Sequence, residues 1–530
     1  MKPLTHPTSP PARSRWRRSL AVLLVSVTAG VVPAAAPAQS FNNVPSSARL
    51  PTLGDTARED LSPIVERKLG EEIMREIRRD RDFLDDDAIG EYLNNFGGAL
   101  VDAVPGARGE TNADFTFFPV RDGAINAFAL PGGFIGIHSG LLLAAQTESE
   151  LASVVSHEIG HVSQRHIARM LGQQRQDALL PLASFILAAL AAKASPDAAM
   201  GVLMGGQGLA VQRQLNFSRD AEREADRVGF QIMSAGGYDT SGMVAFFKRL
   251  QSANKVYGEI PAFLSSHPLT SERIVDIQAR IRETPYRQRP DTIEFHLAKA
   301  RARVLQDLGT TARRDTRTTL QSQLAQQHRQ QQVAAQYGLS FLSLKEGDLA
   351  AARSWFDKAR ATMRPKEGVF SAAPASDGGA MFAVLDLEIK LAPGQPQEVI
   401  QQALRDAQAA TNRYPLSRAL ARQYADAMIN AGKLDDATRY LRDQVQLYRE
   451  DPKLYDLLAR AYSKQGKIAL QHMALAESYV LAGALPAAVD QLNFARKASD
   501  VSFYEQSVID ARERELKARQ KEEKEEEKGR

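Results

Sequence analysis

The pentad His157-Glu-Ile-Gly-His161 is the feature that most constrains how this chain can fold. Residues four positions apart lie on one face of an α-helix, so His157 and His161 can direct their imidazoles at a single metal ion if the segment is helical. Glu158 would then lie close enough to hold a metal-bound water molecule without being a ligand. The alternative is two uncharged histidines on a helix whose apolar face, with Val154 and Val155, packs against a core.

A catalytic zinc site needs a third protein ligand and an open fourth position. The chain has no cysteine, so the third ligand must be a histidine or a carboxylate. Glu222 and Asp226 are also four positions apart and place two carboxylates on one helix face. One can bind a metal ion and the other can accept the second N–H of a histidine ligand. Alternatively, both only pair with neighbouring arginines on a surface helix. Glu224 lies on a different side of the helical wheel and is expected at the surface.

Residues 1–38 have the three parts of a secretory signal peptide. A basic stretch ends at Arg18, residues 19–32 are apolar, and Ala36-Pro-Ala38 offers a cleavage site after Ala38. The alternative is an uncleaved membrane anchor, for which the apolar run is short. Cleavage would remove five basic residues from a chain of net charge +4 and leave a net charge of −1. The basicity therefore gives no support to nucleic acid as a partner.

The segment around the pentad is predicted to form one domain, residues 61–300, after a linker at residues 39–60. Helical spacing over residues 63–104, β-rich runs at 115–120 and 126–138, and a helix from Glu148 to Met170 predict helices with a small β-sheet. His166, near the end of that helix, is expected to cap it or to face solvent. The apolar segment 178–192 is predicted to be a buried helix or a lid, with a membrane-dipping segment as the alternative.

The last third of the chain has a helical repeat. Gly432 and Gly466 lie 34 positions apart, the period of tetratricopeptide repeats. Residues 331–500 are therefore predicted to form a tetratricopeptide α-solenoid with a concave binding face, which follows a helical connector at 301–330; a plain helical bundle is the alternative. Residues 501–530 are predicted to be a charged helical or disordered tail. The predicted fold class is mainly α (α+β).

Four ordered motifs carry a resemblance to a known family. They are the pentad, the pair Glu222-x-x-x-Asp226, the segment Asn126–Gly133 (NAFALPGG) and the segment Ser266–Arg273 (SHPLTSER). The chain resembles the gluzincin metallopeptidases, which include HtpX and the CAAX prenyl protease. The resemblance implies that residues 61–300 are a zincin-type metallopeptidase domain with one Zn²⁺.

The resemblance also implies roles for single residues. The implied zinc ligands are His157, His161 and Glu222, and the implied catalytic residues are Glu158 as general base, Asp226 as a proton-donating or orienting group, and His267. His267 could stabilise the oxyanion, or it could occupy the fourth position on the metal and hold the enzyme latent. The alternative for His267 is a loop histidine packed by Pro268.

Peptide hydrolysis is the predicted reaction, with substrate extended along the strand Phe134–Ile137. The combination of an export signal with tetratricopeptide repeats resembles the domain organisation of periplasmic members of the family. That likeness implies degradation of misfolded or stalled outer-membrane proteins and help in β-barrel assembly. The expected partners are such clients and, through the repeats, the assembly machinery, with peripheral membrane contact. One rival hypothesis is that the protein is a chaperone or adaptor with a latent site. The other is that it is an integral-membrane protease, which only segment 178–192 supports.

Overall fold

A computed structural model describes residues 62–172, 219–257, 262–307, 309–325, 328–364 and 378–528, all within the unit Leu53–Arg530. The predicted signal peptide (1–38), linker (39–60) and apolar segment (178–192) lie outside the described residues and stay predictions. Among the residues described, we find no helix that combines the length and the apolar character needed to span a bilayer.

Two capped helices precede the sheet, as the helical spacing predicts. Helix α1 (Pro63–Arg79) has proline in its first turn, and the Ser62 hydroxyl accepts a hydrogen bond from the Val65 amide. Helix α2 (Asp87–Asp102) begins where the Asp86 carboxylate accepts from the Ile89 amide. The buried face of α2 includes Leu93 and Leu100, which belong to the main hydrophobic core.

The β-rich runs form one three-stranded sheet of β1 (Thr116–Val120), β2 (Ala127–Leu130) and β3 (Phe134–His138), in the order β1-β3-β2. Strand β3 pairs in parallel with β1 and antiparallel with β2. Gly132 and Gly133 turn the chain between β2 and β3 with φ of 76° and 91°, values that favour glycine. Because β3 is the central strand, the prediction that substrate adds along Phe134–Ile137 is wrong; β2 is an edge strand.

The pentad lies on a buried helix, as predicted, but that helix is shorter than expected. After α3 (Ser139–Ala144), helix α4 (Glu148–Ser163) ends three residues before His166 and α5 (His166–Gly172) begins a new axis. The predicted continuous helix to Met170 is therefore wrong. Between the two helices Arg165 has a φ of 52°, which is uncommon for a residue with a side chain. Its guanidinium is buried against Glu66 Oε2 at 3.0 Å.

The rest of the described chain is helical. The helices up to residue 306 are α6 (Arg219–Ala235), α7 (Ser241–Tyr257), α8 (Ala262–Ser266), α9 (Ser271–Glu283) and α10 (Ile293–Gln306). Those that follow are α11 (Thr310–Leu324), α12 (Arg329–Lys345), α13 (Leu349–Met363), α14 (Gly379–Lys390), α15 (Gln397–Arg413), α16 (Arg418–Asn430), α17 (Leu434–Leu447), α18 (Pro452–Lys464), α19 (Ile468–Leu481), α20 (Leu485–Arg496) and α21 (Phe503–Lys528). The predicted fold class, mainly helical with a small sheet, is confirmed.

The same turn recurs between successive helices of the C-terminal region. Gly347, Gly432, Gly466 and Gly483 follow α12, α16, α18 and α19, with φ between 71° and 81°. After each glycine, the next amide donates to the carbonyl five residues back, as in Lys433 N to Met428 O and Lys467 N to Tyr462 O, both close to 3 Å (2.9 and 3.0 Å). This is the glycine-terminated helix end that closes a tight helical hairpin. Gly432 and Gly466, 34 residues apart, thus each lie between the two helices of a hairpin.

Candidate metal centre and active site

Four buried side chains from three parts of the chain bring metal-binding atoms together. His157 and His161 come from α4, Glu222 from α6, and His267 follows α8; their ligand atoms all lie within 4.8 Å of one another. His157 Nε2 lies 3.0 Å from His161 Nε2, and each histidine Nε2 lies 3.5 Å from a Glu222 oxygen. Tetrahedral zinc with bonds of about 2.1 Å separates its ligand atoms by roughly 3.4 Å. The residues present therefore fit a zinc ion.

Two glycines allow α4 and α6 to approach closely enough for this arrangement. A Cβ on Gly160 would lie 2.9 Å from the Ala225 carbonyl oxygen, and one on Gly229 would lie 2.9 Å from the His157 amide nitrogen. Both distances are too short for a real side chain. Glycine at 160 and 229 thus lets the helix with the histidines pack directly on the helix with the carboxylates.

Asp226 lies within hydrogen-bond distance of the first histidine of the pentad. Its Oδ1 lies 3.0 Å from His157 Nδ1, so a proton on Nδ1 leaves the Nε2 lone pair facing the cluster. Arg273, buried at the start of α9, donates to both Asp226 oxygens at 2.6 and 2.8 Å. Burial works against ionisation of Asp226, but the hydrogen bonds from Arg273 and His157 hold its pKa below the usual value.

Arg273 also places Glu222 and the loop that carries His267. Its Nη1 lies 2.8 Å from Glu222 Oε2 and donates to the Pro268 carbonyl at 2.8 Å. Burial opposes the charge on Glu222, yet His267 and hydrogen bonds from His157 and His161 keep its pKa well below the usual value. The sequence alone assigns Arg273 no role. The available signal was its place at the end of the segment 266–273 that carries the family resemblance.

His166 and Glu224 lie beside the metal-binding cluster, contrary to expectation. His166 Nδ1 is 2.8 Å from His161 Nδ1, and its Nε2 is 3.1 Å from Glu224 Oε2. On an uninterrupted helix, residues five positions apart would point about 140° apart. The break at Arg165 therefore brings His166 back under His161. Hydrogen bonds from His166 and Arg169 lower the pKa of Glu224 to about 2, whereas burial lowers the pKa of His166 and of His161.

Glu158 is fully buried next to the cluster. Its Oε1 lies 3.4 Å from His267 Nε2, and the backbone N–H of Ala129 on β2 also faces it. Burial raises the pKa of the Glu158 carboxyl above its usual value. A carboxylate with raised proton affinity at this position is suited to take a proton from water.

Among the described residues, no strand pairs with the outer edge of β2, which lies next to Glu158. The His138 amide donates to the Asn126 carbonyl, and residues 127–130 continue this register against residues 137–134. Because hydrogen-bonded pairs alternate in an antiparallel ladder, Ala127 and Ala129 direct their N–H and C=O groups away from β3. An extended peptide can bind main chain to main chain along this edge.

His267 faces both the ligand atoms and Glu158. Its Nδ1 lies 2.9 Å from Glu222 Oε1 and 3.3 Å from His157 Nε2. Its ring stacks on Phe263 with centroids 4.7 Å apart. The packing fixes the ring with one nitrogen towards the metal-binding atoms and the other towards Glu158, so both predicted roles of His267 are sterically available.

Comparison with known proteins gives the same family as these motifs. The profile of peptidase family M48 matches residues 101–281. The chain is 30% identical over 500 residues to the beta-barrel assembly-enhancing protease of Escherichia coli K12. The matched residues cover 94% of this chain and 96% of that protein. It is 31% identical to the Yersinia pestis protein of the same name over 91% of this chain and 94% of that one.

Another relative matches a smaller share of this chain. The mitochondrial metalloendopeptidase OMA1 of Schizosaccharomyces pombe is 32% identical over 159 residues, which cover 30% of this chain and 44% of that protein. The chain belongs to peptidase family M48 and is a zinc metalloprotease.

Proposed function

We propose that this protein is a periplasmic zinc metalloendopeptidase that degrades misfolded or stalled outer-membrane proteins and assists β-barrel assembly. The observation that carries the peptidase function is the buried cluster of His157, His161 and Glu222 with Glu158 beside it. Similarity to beta-barrel assembly-enhancing proteases over nearly the whole length of both chains supports the client class.

In this proposal His157, His161 and Glu222 hold the zinc ion. When bound, zinc supplies a Lewis acid that polarises the scissile carbonyl and acidifies water. Glu158 accepts the proton of the attacking water at its carboxylate and delivers it to the nitrogen of the leaving amine. Asp226 holds the proton on His157 Nδ1 and, with Arg273, keeps that ring in place.

Substrate would lie along the free edge of β2. Its main chain would bond to outward main-chain groups of β2 near the partly exposed Ala129, whose N–H faces Glu158, and this would bring the scissile bond towards Glu158. Main-chain recognition tolerates many side chains. Such recognition suits unfolded clients, because they expose extended segments with no common sequence.

We propose that His267 is a latch that occupies the fourth position on zinc until a client binds. The 2.9 Å and 3.3 Å distances from its Nδ1 to Glu222 and His157 support this role, since they match the ligand spacing of the other donors. If the latch is closed in about nine-tenths of molecules, His267→Ala should raise kcat/KM about tenfold. The measurement is peptidase rate with zinc content, and the control is Ser266→Ala. A slower His267→Ala enzyme with zinc retained would instead assign His267 to the oxyanion.

The wider organisation is also proposed. Residues 1–38 would be the signal peptide, 39–60 a linker, 61–300 the metallopeptidase domain and 301–330 a connector. Residues 331–500 would be tetratricopeptide repeats, supported by the recurring glycine turns, and 501–530 a charged tail. The repeats would bind clients or the β-barrel assembly machinery, with peripheral contact to the membrane.

The proposed function can be tested in a cell that lacks its own enzyme of this kind. We expect the wild-type protein to restore outer-membrane integrity and to remove a stalled β-barrel precursor, whereas Glu158→Gln should leave the precursor intact. Antibiotic permeability and precursor half-life are the measurements. If Glu158→Gln restores both as well as wild type, the protein acts chiefly as a chaperone through its helical repeats.

A further inference from the structure

The second histidine of the pentad has a hydrogen-bonded support of its own. His161 Nδ1 lies 2.8 Å from His166 Nδ1, and His166 Nε2 lies 3.1 Å from Glu224 Oε2. Arg169 Nη2 lies 2.7 Å from the same oxygen. We propose that His166 and Glu224 are positioning residues that fix the tautomer and ring orientation of His161 for metal binding. This inference rests on the proposed role of His161 as a zinc ligand.

The direction of each hydrogen bond follows from the chemistry of the end group. Glu224 shares one oxygen between His166 and the Arg169 guanidinium, and a carboxyl paired with a guanidinium is ionised, so it can only accept from His166. In the neutral ring of His166 the proton therefore lies on Nε2, and Nδ1 is an acceptor. His161 must then donate from Nδ1, which leaves its Nε2 lone pair directed at His157 and Glu222, 3.0 and 3.5 Å away. This is the tautomer that a metal ligand requires.

The backbone conformation at Arg165 places His166 next to His161. His166 can lie under His161 only because the helix breaks at Arg165, with a φ of 52°, and the buried pair of Arg165 with Glu66 stabilises that conformation. His166 is 3% exposed, and its ring packs edge-on against that of His161 with centroids 4.8 Å apart. The ring of His161 is thus held by packing as well as by its hydrogen bond.

The arrangement parallels the support of the first histidine. His157 donates to Asp226, which accepts from Arg273. His161 donates to His166, which donates to Glu224, and Glu224 also accepts from Arg169. Each arm begins at a pentad histidine and ends at a carboxylate paired with an arginine. The second arm contains one extra imidazole because Glu224 lies on a different face of α6 from Asp226.

Zinc affinity of the purified full-length protein tests the proposal, with zinc alone as the probe in competition with a chromogenic chelator. Loss of such a supporting residue typically weakens metal binding about 10–100-fold, and we expect this of His166→Leu. His166→Asn should recover most of the affinity, because its amide oxygen replaces the acceptor at Nδ1. The visible spectrum of the cobalt(II)-substituted protein should change in the leucine variant and return towards wild type in the asparagine variant.

Two further variants keep the result interpretable. Glu224→Ala, on a partly exposed side chain, should weaken zinc binding towards the lower end of that range even if His166→Leu does not fold. Ser163→Ala removes a buried hydrogen bond to the Ala107 carbonyl in the same turn and should lower the Tm of the metal-free protein without changing zinc affinity.

The outcomes separate this inference from the proposed function. Wild-type zinc affinity and an unchanged cobalt spectrum in both His166→Leu and Glu224→Ala would overturn the positioning role. Equal losses in His166→Asn and His166→Leu would overturn it too, since packing rather than the acceptor would then matter. If His161→Ala keeps wild-type zinc affinity, the proposed ligand set itself is wrong.

Discussion

Glu158→Gln is expected to lower kcat for peptide hydrolysis by about 10²–10⁴-fold, the usual contribution of a general base. Glutamine has the shape of glutamate but cannot accept the proton of the attacking water. Because the side chain is fully buried and burial raises its pKa, an uncharged amide should fit without loss of stability. The measurement is the initial rate of cleavage of a fluorogenic casein, together with bound zinc per chain.

The matched control for that variant is Glu150→Gln on the same helix. Glu150 is buried and pairs with Arg249 and with the Gln146 amide, so its loss should reduce stability but not kcat. Equal kcat in Glu158→Gln and wild type, with zinc bound in both, would contradict the assignment of the base. A loss of zinc would instead show that Glu158 helps to form the site.

The part of the site that the sequence predicted is the part with helical periodicity. His157 and His161, and then Glu222 and Asp226, are each four positions apart, and the structure brings all four together with His267. Their catalytic and ligand roles stay predictions. Periodicity succeeds here because each pair lies within one helix, where spacing alone decides which side chains share a face.

The errors arose where long-range packing or an unusual backbone angle decides the position. No residue preference marks Arg165 as left-handed, so the sequence predicts a helix to Met170, with His166 capping it or facing solvent. A helical wheel of α6 alone assigns Glu224 to the surface, because it does not show that α5 packs there. The pairing of β1 with β3 across a crossover made β3 central, and spacing within the strands carries no signal of that order.

The sequence also carries no signal of the contact between the sheet-containing part and the C-terminal helices. Arg301 on α10 donates through Nε to both Asp86 oxygens at 2.7 and 2.8 Å, and its two terminal nitrogens donate to Glu388 on α14 at 2.9 and 2.5 Å. These partners are 215 and 87 residues away in sequence. Residues 301–330 are predicted to be a connector, yet Arg301, the first of them, joins three regions of the chain.

Arg301→Ala is accordingly expected to cost about 3–5 kcal/mol of unfolding free energy, because it leaves two carboxylates without their buried cation. Arg301 is 2% exposed, and burial opposes its charge, but Asp86 and Glu388 outweigh burial and raise its pKa well above the usual value. Arg301→Lys should rescue little, since an ammonium cannot bridge both carboxylates with the geometry of a guanidinium. The measurement is the midpoint and slope of urea unfolding.

The control is Arg353→Ala, whose partly exposed pairs with Asp357 and Asp386 should contribute no more than about 1 kcal/mol. A second comparison tests whether the unpaired charge is the cause. The double variant Arg301→Met, Asp86→Asn should be more stable than Arg301→Met alone, because asparagine removes one unpaired charge and can still cap α2. If the Arg301→Ala protein has the same free energy of unfolding as the Arg353→Ala protein, this account is contradicted. A loss confined to a separate, earlier transition would show that Arg301 stabilises the C-terminal helices against the peptidase rather than the fold as a whole.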